Sequence, residues 1–345
     1  MGVVMNNRLR HPAFLSGILV LASVVIGLIS FEIFLRIFMP FYYTGNPAAF
    51  EYDPELGFRL RSGIHLFRTT DYQDEVKVNQ LGTVNFQETF NRYKSLIFAV
   101  GDSTTQGLGV PADMSYPSQL DLVLNQDDQG FYTGQYGVVN LGVSSFGGEQ
   151  NLLMLNRWSR LIRSPDIILY MGHDNDVEDD QLFLGGYRHK HLVANSPSFP
   201  NWTVKPLQWL TNDLQLGVRA KRLFGQWRHS NIFKVTENEA INRQQTAAER
   251  ESPVLDRLVR YASEHGSVLI VSWSEPGDSY QWLKSWSSSH GIAFADWVSK
   301  VESVRSFIPM LPMDNEHSGA HHRGWVNLEI AEEYARLIRR GNKQN

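Results

Sequence analysis

From Ser95 onward the chain alternates short apolar runs with helical patterns, and this alternation restricts the folds open to it. Leu96–Val100, Val138–Leu141, Ile167–Met171 and Val268–Trp273 read as buried strands, with Ile292–Phe294 as a short fifth. Amphipathic patterns lie between and after them, over Tyr116–Asn125, Glu149–Leu161, Leu255–His265, Tyr280–Ser288 and Trp325–Arg340. Strands of about five residues separated by helices predict a parallel sheet covered on both faces. Sheets of this kind place their chemistry just beyond the carboxyl ends of the strands. The stretch 177–250 interrupts the alternation, and Gly185-Gly186, Pro197 and Pro200 mark it as an inserted subdomain or lid.

The N-terminus follows a different pattern. Phe14 to Phe31 holds no charge, and the apolar character runs on to Met39. A membrane span needs about 20 helical residues, so 12–39 is long enough even when tilted. Glu32 and Arg36 stand at i,i+4 spacing near its far end, where they can pair, and Phe41, Tyr42 and Tyr43 suit an interfacial aromatic belt. Arg8 and Arg10 precede the span, which puts residues 1–11 in the cytoplasm and the rest across the inner membrane, in the periplasm. A cleaved signal peptide would have a shorter apolar core and a small-residue site directly after it, whereas Glu32 to Tyr43 is bulky. Residues 40–94 read as a polar connection with short strands such as His65–Arg68 and Val76–Val78, and 95–340 as the main domain.

Composition narrows the chemistry. The 345 residues carry 32 basic and 36 acidic side chains, a balance unlike that of a nucleic-acid binder. There is no cysteine, which excludes disulfide frameworks, iron–sulfur clusters, thiolate zinc sites and cysteine nucleophiles.

Four loops deserve comparison because each follows a strand or precedes the last helix. Gly101-Asp102-Ser103-Thr104-Thr105-Gln106-Gly107 puts a serine on a tight strand–helix turn, suited either to a nucleophile or to a helix cap. Asn140-Leu141-Gly142-Val143-Ser144-Ser145 offers backbone N–H groups to an oxyanion, or is a plain flexible connection. Gly172-His173-Asp174-Asn175-Asp176 could supply an asparagine donor, or be a solvated acidic turn. Asp314-Asn315-Glu316-His317 has the spacing at which a carboxylate can orient an imidazole. Zinc is the rival reading for His317, His321 and His322, but no H-E-x-x-H occurs and the last two are neighbours that would point apart on a helix.

Read in order, GDSTTQG, NLGVSS, GHDND and DNEH resemble the four blocks of the SGNH (GDSL-type) hydrolase superfamily. Tyr52-Asp53-Pro54-Glu55-Leu56-Gly57 and the E-x-x-x-R end of the apolar segment are similar to membrane-anchored bacterial members. The resemblance implies a three-layer, flavodoxin-like α/β fold, a Ser-His-Asp triad and no cofactor or metal. By position, Ser103 is the nucleophile, His317 the general base and Asp314 its orienting carboxylate. The oxyanion donors are the N–H groups of Ser103 and Ser145 and the side chain of Asn175. Two departures stand out. Ser145 occupies a family glycine position, and Asp174 intervenes in the family's Gly-x-Asn-Asp. In strict register Asp174 takes the asparagine position and would repel an oxyanion; a one-residue bulge restores Asn175, and that is the reading preferred.

The expected protein is therefore a membrane-anchored esterase or O-acetyltransferase acting on ester-linked acyl groups, with an acylated cell-surface carbohydrate as substrate. An export or acyl-donor membrane protein is the expected partner, and no nucleic acid. The alternative is a catalytically impaired scaffold or carbohydrate-binding subunit. Trp273, Trp282, Trp286, Trp297 and Trp325 are read mainly as core aromatics, with sugar stacking as a secondary role.

Overall fold

A computed structural model of the chain describes residues 12–39, 49–68, 73–85, 87, 89–127, 129–185, 214–220, 223, 245–315 and 321–341. Its contacts divide into two units, one of residues 1–43 with 201–235, the other of 44–200 with 236–345.

The first unit contains α1, Pro12–Phe38, whose stretch Leu15–Phe38 is long and apolar enough to cross a membrane. A signal sequence meets the same test. Its apolar side chains are almost all open, as lipid-facing residues must be and as core residues are not. Arg36 Nε donates to Glu32 Oε1 at 2.8 Å, the i,i+4 pair expected from the sequence.

The second unit begins with two antiparallel hairpins. Strands β1 (Phe50–Asp53) and β2 (Gly57–Leu60) pair first, then β3 (Gly63–Arg68) and β4 (Gln73–Val78). The first hairpin was not legible as strands, because its arms are only four residues long and one of them opens on glycine. Asp53 closes its turn by accepting the N–H groups of Glu55 and Leu56. The same carboxylate receives both terminal nitrogens of Arg157, at 2.7 and 2.8 Å, which fastens the hairpin to the helical layer.

The central sheet is parallel throughout. It comprises β5 (Ser95–Gly101), β6 (Tyr136–Asn140), β7 (Ile167–Gly172), β8 (Val268–Trp273) and β9 (Ala293–Phe294), ordered β6-β5-β7-β8-β9. This is the flavodoxin-like order, in which the direction of strand addition reverses beside β5. The strands are buried on both faces, hence their unbroken apolar runs.

The helices after the sheet strands are α2 (Ser103–Gln106), α3 (Tyr116–Asn125), α4 (Gly148–Leu161), α5 (Asp176–Leu184), α6 (Ala247–Arg250), α7 (Ser252–His265), α8 (Asp278–Ser289), α9 (Trp297–Phe307) and α10 (Gly324–Gly341). Helices α3 and α10 pack together, where Tyr116 and Tyr334 stack at 5.5 Å, and α4 packs with α7. Helix α5 starts at Asp176, just before the stretch read as an insertion, and runs into it, while α6 lies at the end of that stretch. The sequence reading also passed over α9, whose buried Trp297, Val298 and Val301 are spaced among serines and charges. Trp273, Trp286 and Trp297 are buried in the core, and Trp282 and Trp325 pack partly buried against it.

Candidate active site

Three sheet strands and the segment before α10 deliver the site. Strand β5 ends at Gly101, where an added Cβ would lie 2.2 Å from Thr105 Oγ1 and 2.6 Å from Met171 O, so only glycine allows this turn. Asp102 then caps α2, with Oδ1 accepting Thr104 N–H at 2.9 Å. Ser103 follows on the first residue of that short helix.

Ser103 Oγ lies 2.8 Å from His321 Nε2 and 3.1 Å from Asp102 Oδ2. The histidine in contact with the serine is therefore His321. His317, the base expected from the block pattern, lies outside the described residues. Asp314 does not serve His321 with its carboxylate. Its Oδ1 faces Nδ1 of the neighbouring His322 at 2.6 Å.

His322 is fixed at both ring nitrogens. Its Nε2 donates to the carbonyl of Ser274 at 2.7 Å, so a proton must also sit between Nδ1 and Asp314. The ring is buried, with Trp297 edge-on at 5.0 Å. Asn315 N–H donates to His321 O at 2.9 Å, and Asp314 pairs with His322 across the same small bridge. The two histidines thus divide the work by pointing apart: His322 braces the strap and His321 reaches the serine. Adjacent histidines carry this signal in the sequence, but the D-x-x-H spacing drew attention one turn upstream.

The second block is held against the first by glutamine. Gln106 Oε1 accepts both N–H and O–H of Ser144, at 2.7 and 2.9 Å. Gly142 lies so close that a Cβ would stand 2.2 Å from the backbone nitrogen of Gln106. Asn140, buried at the end of β6, orients this loop by accepting Gly142 N–H at 3.0 Å. Ser145 is the one non-glycine residue with positive φ among those described, at 66°. The family glycine position is therefore a left-handed turn, and a serine bears the steric cost of it.

In the third block both uncertain residues have protein partners. Asp174 Oδ1 accepts the indole N–H of Trp273 at 2.8 Å. Asn175 stands just before α5 without a side-chain cap bond, and its Nδ2 donates to Asp179 Oδ2 at 3.0 Å, leaving one amide hydrogen for another acceptor. Asp176, which follows, is wholly buried and accepts His173 N–H and the Tyr170 hydroxyl. Burial pushes its carboxyl well above the carboxylate range, and neighbouring Asp102 and Glu251 add to that.

His173 was not singled out from the sequence. Its Nε2 lies 3.2 Å from Glu275 Oε1. Burial opposes charge on the ring, but Asp102, Glu275 and Asp176 outweigh it and push the imidazole up to about 10. The same bond holds Glu275 below its usual range despite partial burial. Nδ1 of His173 accepts Asn175 N–H at 3.2 Å, so the ring ties the third-block loop to Glu275. Among the described residues, no three His, Asp or Glu side chains are grouped to hold a metal ion.

A serine hydroxyl within hydrogen-bond reach of an imidazole at the carboxyl end of a parallel sheet can be deprotonated for attack. The chain is similar in fold to solved structures that include lipolytic G-D-S-L proteins and an esterase. One is a member of the lipolytic protein G-D-S-L family from Veillonella parvula, at 12% identity and a TM-score of 0.42, over 71% of this chain and 99% of that one. Another is a catalytic mutant of an acetylxylan esterase from Geobacillus stearothermophilus, at 14% identity and a TM-score of 0.38, over 71% of this chain and 94% of that one. No family model matches the chain, and no curated protein matches it.

Proposed function

We propose that the protein is a membrane-anchored serine acyl-ester hydrolase or O-acyltransferase. The carrying observation is the 2.8 Å contact between Ser103 Oγ and His321 Nε2, made across 218 residues of chain. His321 takes the serine proton as Oγ attacks the ester carbonyl, then returns it to the departing alkoxide. The acyl group is left on Ser103, and water or a second hydroxyl resolves it through the same base. Asp102 is a second acceptor for the serine proton at rest, and attack requires that proton to face Nε2. Backbone N–H groups of Ser103 and Ser145 and the free amide hydrogen of Asn175 are the donors to the tetrahedral oxyanion.

Asp314 is read as a positioning residue that acts through His322. The substrate class is an ester-linked acyl group, acetyl in the narrower reading, on a surface carbohydrate. Helix α1 is read as the anchor, with its N-terminus cytoplasmic and the second unit on the outer side of the inner membrane. An acyl-donor or export protein in the same membrane would complete a transferase.

A serine-directed fluorophosphonate probe tests the core of this reading. Labelling of the wild type that disappears in Ser103→Ala supports it. A folded protein that resists the probe yet binds polysaccharide would favour the scaffold reading, to which the engaged side chains of Asp174 and Asn175 lend support. Acetate release measured beside transfer to an oligosaccharide acceptor separates hydrolase from transferase.

A further inference from the structure

The third block holds one residue more than the Gly-x-Asn-Asp spacing, and the structure absorbs it in a turn. Asp176 N–H donates to His173 O at 3.1 Å, which closes residues 173–176, and Asp176 Oδ2 accepts His173 N–H at 3.0 Å in return. Asn175 stands third in that turn, at φ −90° and ψ −3°, the values of that position in a type I turn. Such turns favour a first residue whose side chain accepts the N–H two residues on, a part usually played by Asp, Asn or Ser. Here His173 plays it, with Nδ1 accepting Asn175 N–H at 3.2 Å.

An imidazole can accept at Nδ1 only with its proton on the other nitrogen. Nε2 lies 3.2 Å from Glu275 Oε1, so it donates to that carboxylate, which fixes both the tautomer and the ring. A second proton could enter only at Nδ1, where Asn175 N–H stands in its way; the ring that holds the loop is the neutral one. Asp174, the next residue, is tied to the end of β8 through Trp273. The first two residues of the turn are thus moored to β8 and the loop after it. Asn175 in turn has two holds, its N–H on His173 and its Nδ2 on Asp179 at 3.0 Å. Without Nδ1 the first hold is gone, and with it the fixed backbone that carries the second amide hydrogen.

We propose that His173 is a positioning residue for acyl transfer, whose Nδ1, set by Glu275, holds the Asn175 amide where it donates to the oxyanion. This rests on reading Asn175 as an oxyanion donor of a serine hydrolase. A block lengthened by Asp174 then keeps its donor because a histidine opens the turn. His173 acts through Asn175 and not on the substrate, so its loss falls on kcat and leaves KM little changed.

Hydrolysis of p-nitrophenyl acetate by the full-length protein in detergent tests this with a pair of amide substitutions. In His173→Asn, Oδ1 stands where Nδ1 stood. In His173→Gln the amide reaches the place of Nε2, and the acceptor near Asn175 N–H is gone. The proposal expects His173→Asn to keep kcat within about threefold, and His173→Gln and His173→Ala to lose roughly ten- to a hundred-fold, part of the cost of an oxyanion donor. In an Asn175→Ala background, His173→Ala should cost less than about twofold more, because both changes disable one device. Equal kcat for His173→Asn and His173→Gln overturns the proposal, and so does an undiminished loss from His173→Ala in the Asn175→Ala background. A loss confined to KM overturns it as well. Both amides are polar and no larger than the imidazole, so their comparison decides the matter even where alanine fails to fold. Turnover abolished by Ser103→Ala but untouched by Asn175→Ala overturns the proposal and leaves the hydrolase standing. Turnover that survives Ser103→Ala overturns the hydrolase reading, and the proposal with it.

Discussion

Asp174 accepts the indole N–H of Trp273 at 2.8 Å, joining the loop after β7 to the last residue of β8. Trp273 is wholly buried, and its ring lies where a Cβ on Gly172 would stand 2.3 Å away. The acidic residue that departs from the Gly-x-Asn-Asp pattern is thus answered by a fixed donor. Asp174→Asn keeps an acceptor and should retain activity within a few-fold. Trp273→Phe strips the donor from a carboxylate and leaves part of a wholly buried site unfilled, so it should cost about 2–4 kcal/mol in denaturant unfolding.

His321→Ala should lower kcat/KM about as far as Ser103→Ala, on the order of a thousand-fold or more, because a nucleophile and its base act as a unit. His322→Ala should lower stability as well as activity, since it leaves the Ser274 carbonyl and Asp314 unanswered. Ester turnover by the variants, with thermal melts alongside, decides the matter. A His321→Ala enzyme of near wild-type rate, with His317→Ala inactive, would return the base to His317.

Asn175→Ala should lower kcat by roughly a hundred- to a thousand-fold with KM little changed, the cost of one oxyanion donor. Asp179→Asn tests how the amide is held. It should reduce kcat by less, and by an amount that Asp179→Ala exceeds. Steady-state kinetics on a p-nitrophenyl ester measures both.

Alkaline pH should weaken the fold at the base of the second block. Asp180 accepts Glu149 N–H with both oxygens, and burial pushes its carboxyl up to about 7. Glu251, against Gly148, is pushed up to about 8 by burial, with Asp180 and Glu149 adding to it. Unfolded, the two ionise near 3.8 and 4.5, so the folded chain keeps protons that the unfolded chain releases. Their contribution is full below about pH 4, is lost as pH rises through 7 and 8, and is constant beyond. Glu251→Gln should raise the melting temperature at pH 9 by roughly 4–8 °C, for on the order of 2 kcal/mol in a domain of this size, and change little at pH 4.

Gly142→Ala should fold poorly, because the new methyl meets the Gln106 backbone and not a side chain that could turn aside. Soluble yield and melting temperature report this directly. Ser145→Gly relieves a left-handed residue and should be neutral or stabilising by up to about 1 kcal/mol.

The parallel sheet was legible because strands buried on both faces must be apolar throughout, and Leu96–Val100 or Val268–Trp273 leave little choice. Ser103 was legible for a related reason, since a turn as tight as Gly101 demands sits at a known end of such a sheet. The partner of that serine was not. His321 and His322 are indistinguishable along the chain, and only the bridge from Asp314 to His322 turns one ring inward and the other toward Ser103. The hairpin at 50–60 escaped notice because its arms are only four residues long and its fastening partner, Arg157, lies about a hundred residues away in the chain.

Glu32 also accepts the N–H of Gln215, across 183 residues of chain, and that separation sets a schedule. At about 5–20 residues per second, ribosomes complete Gln215 roughly 10–40 s after Glu32. Through that interval Arg36, four residues on, is the partner already at hand. The ion pair inside α1 is therefore the first of the two fastenings to form, and it persists once the late-made segment has joined the same carboxylate.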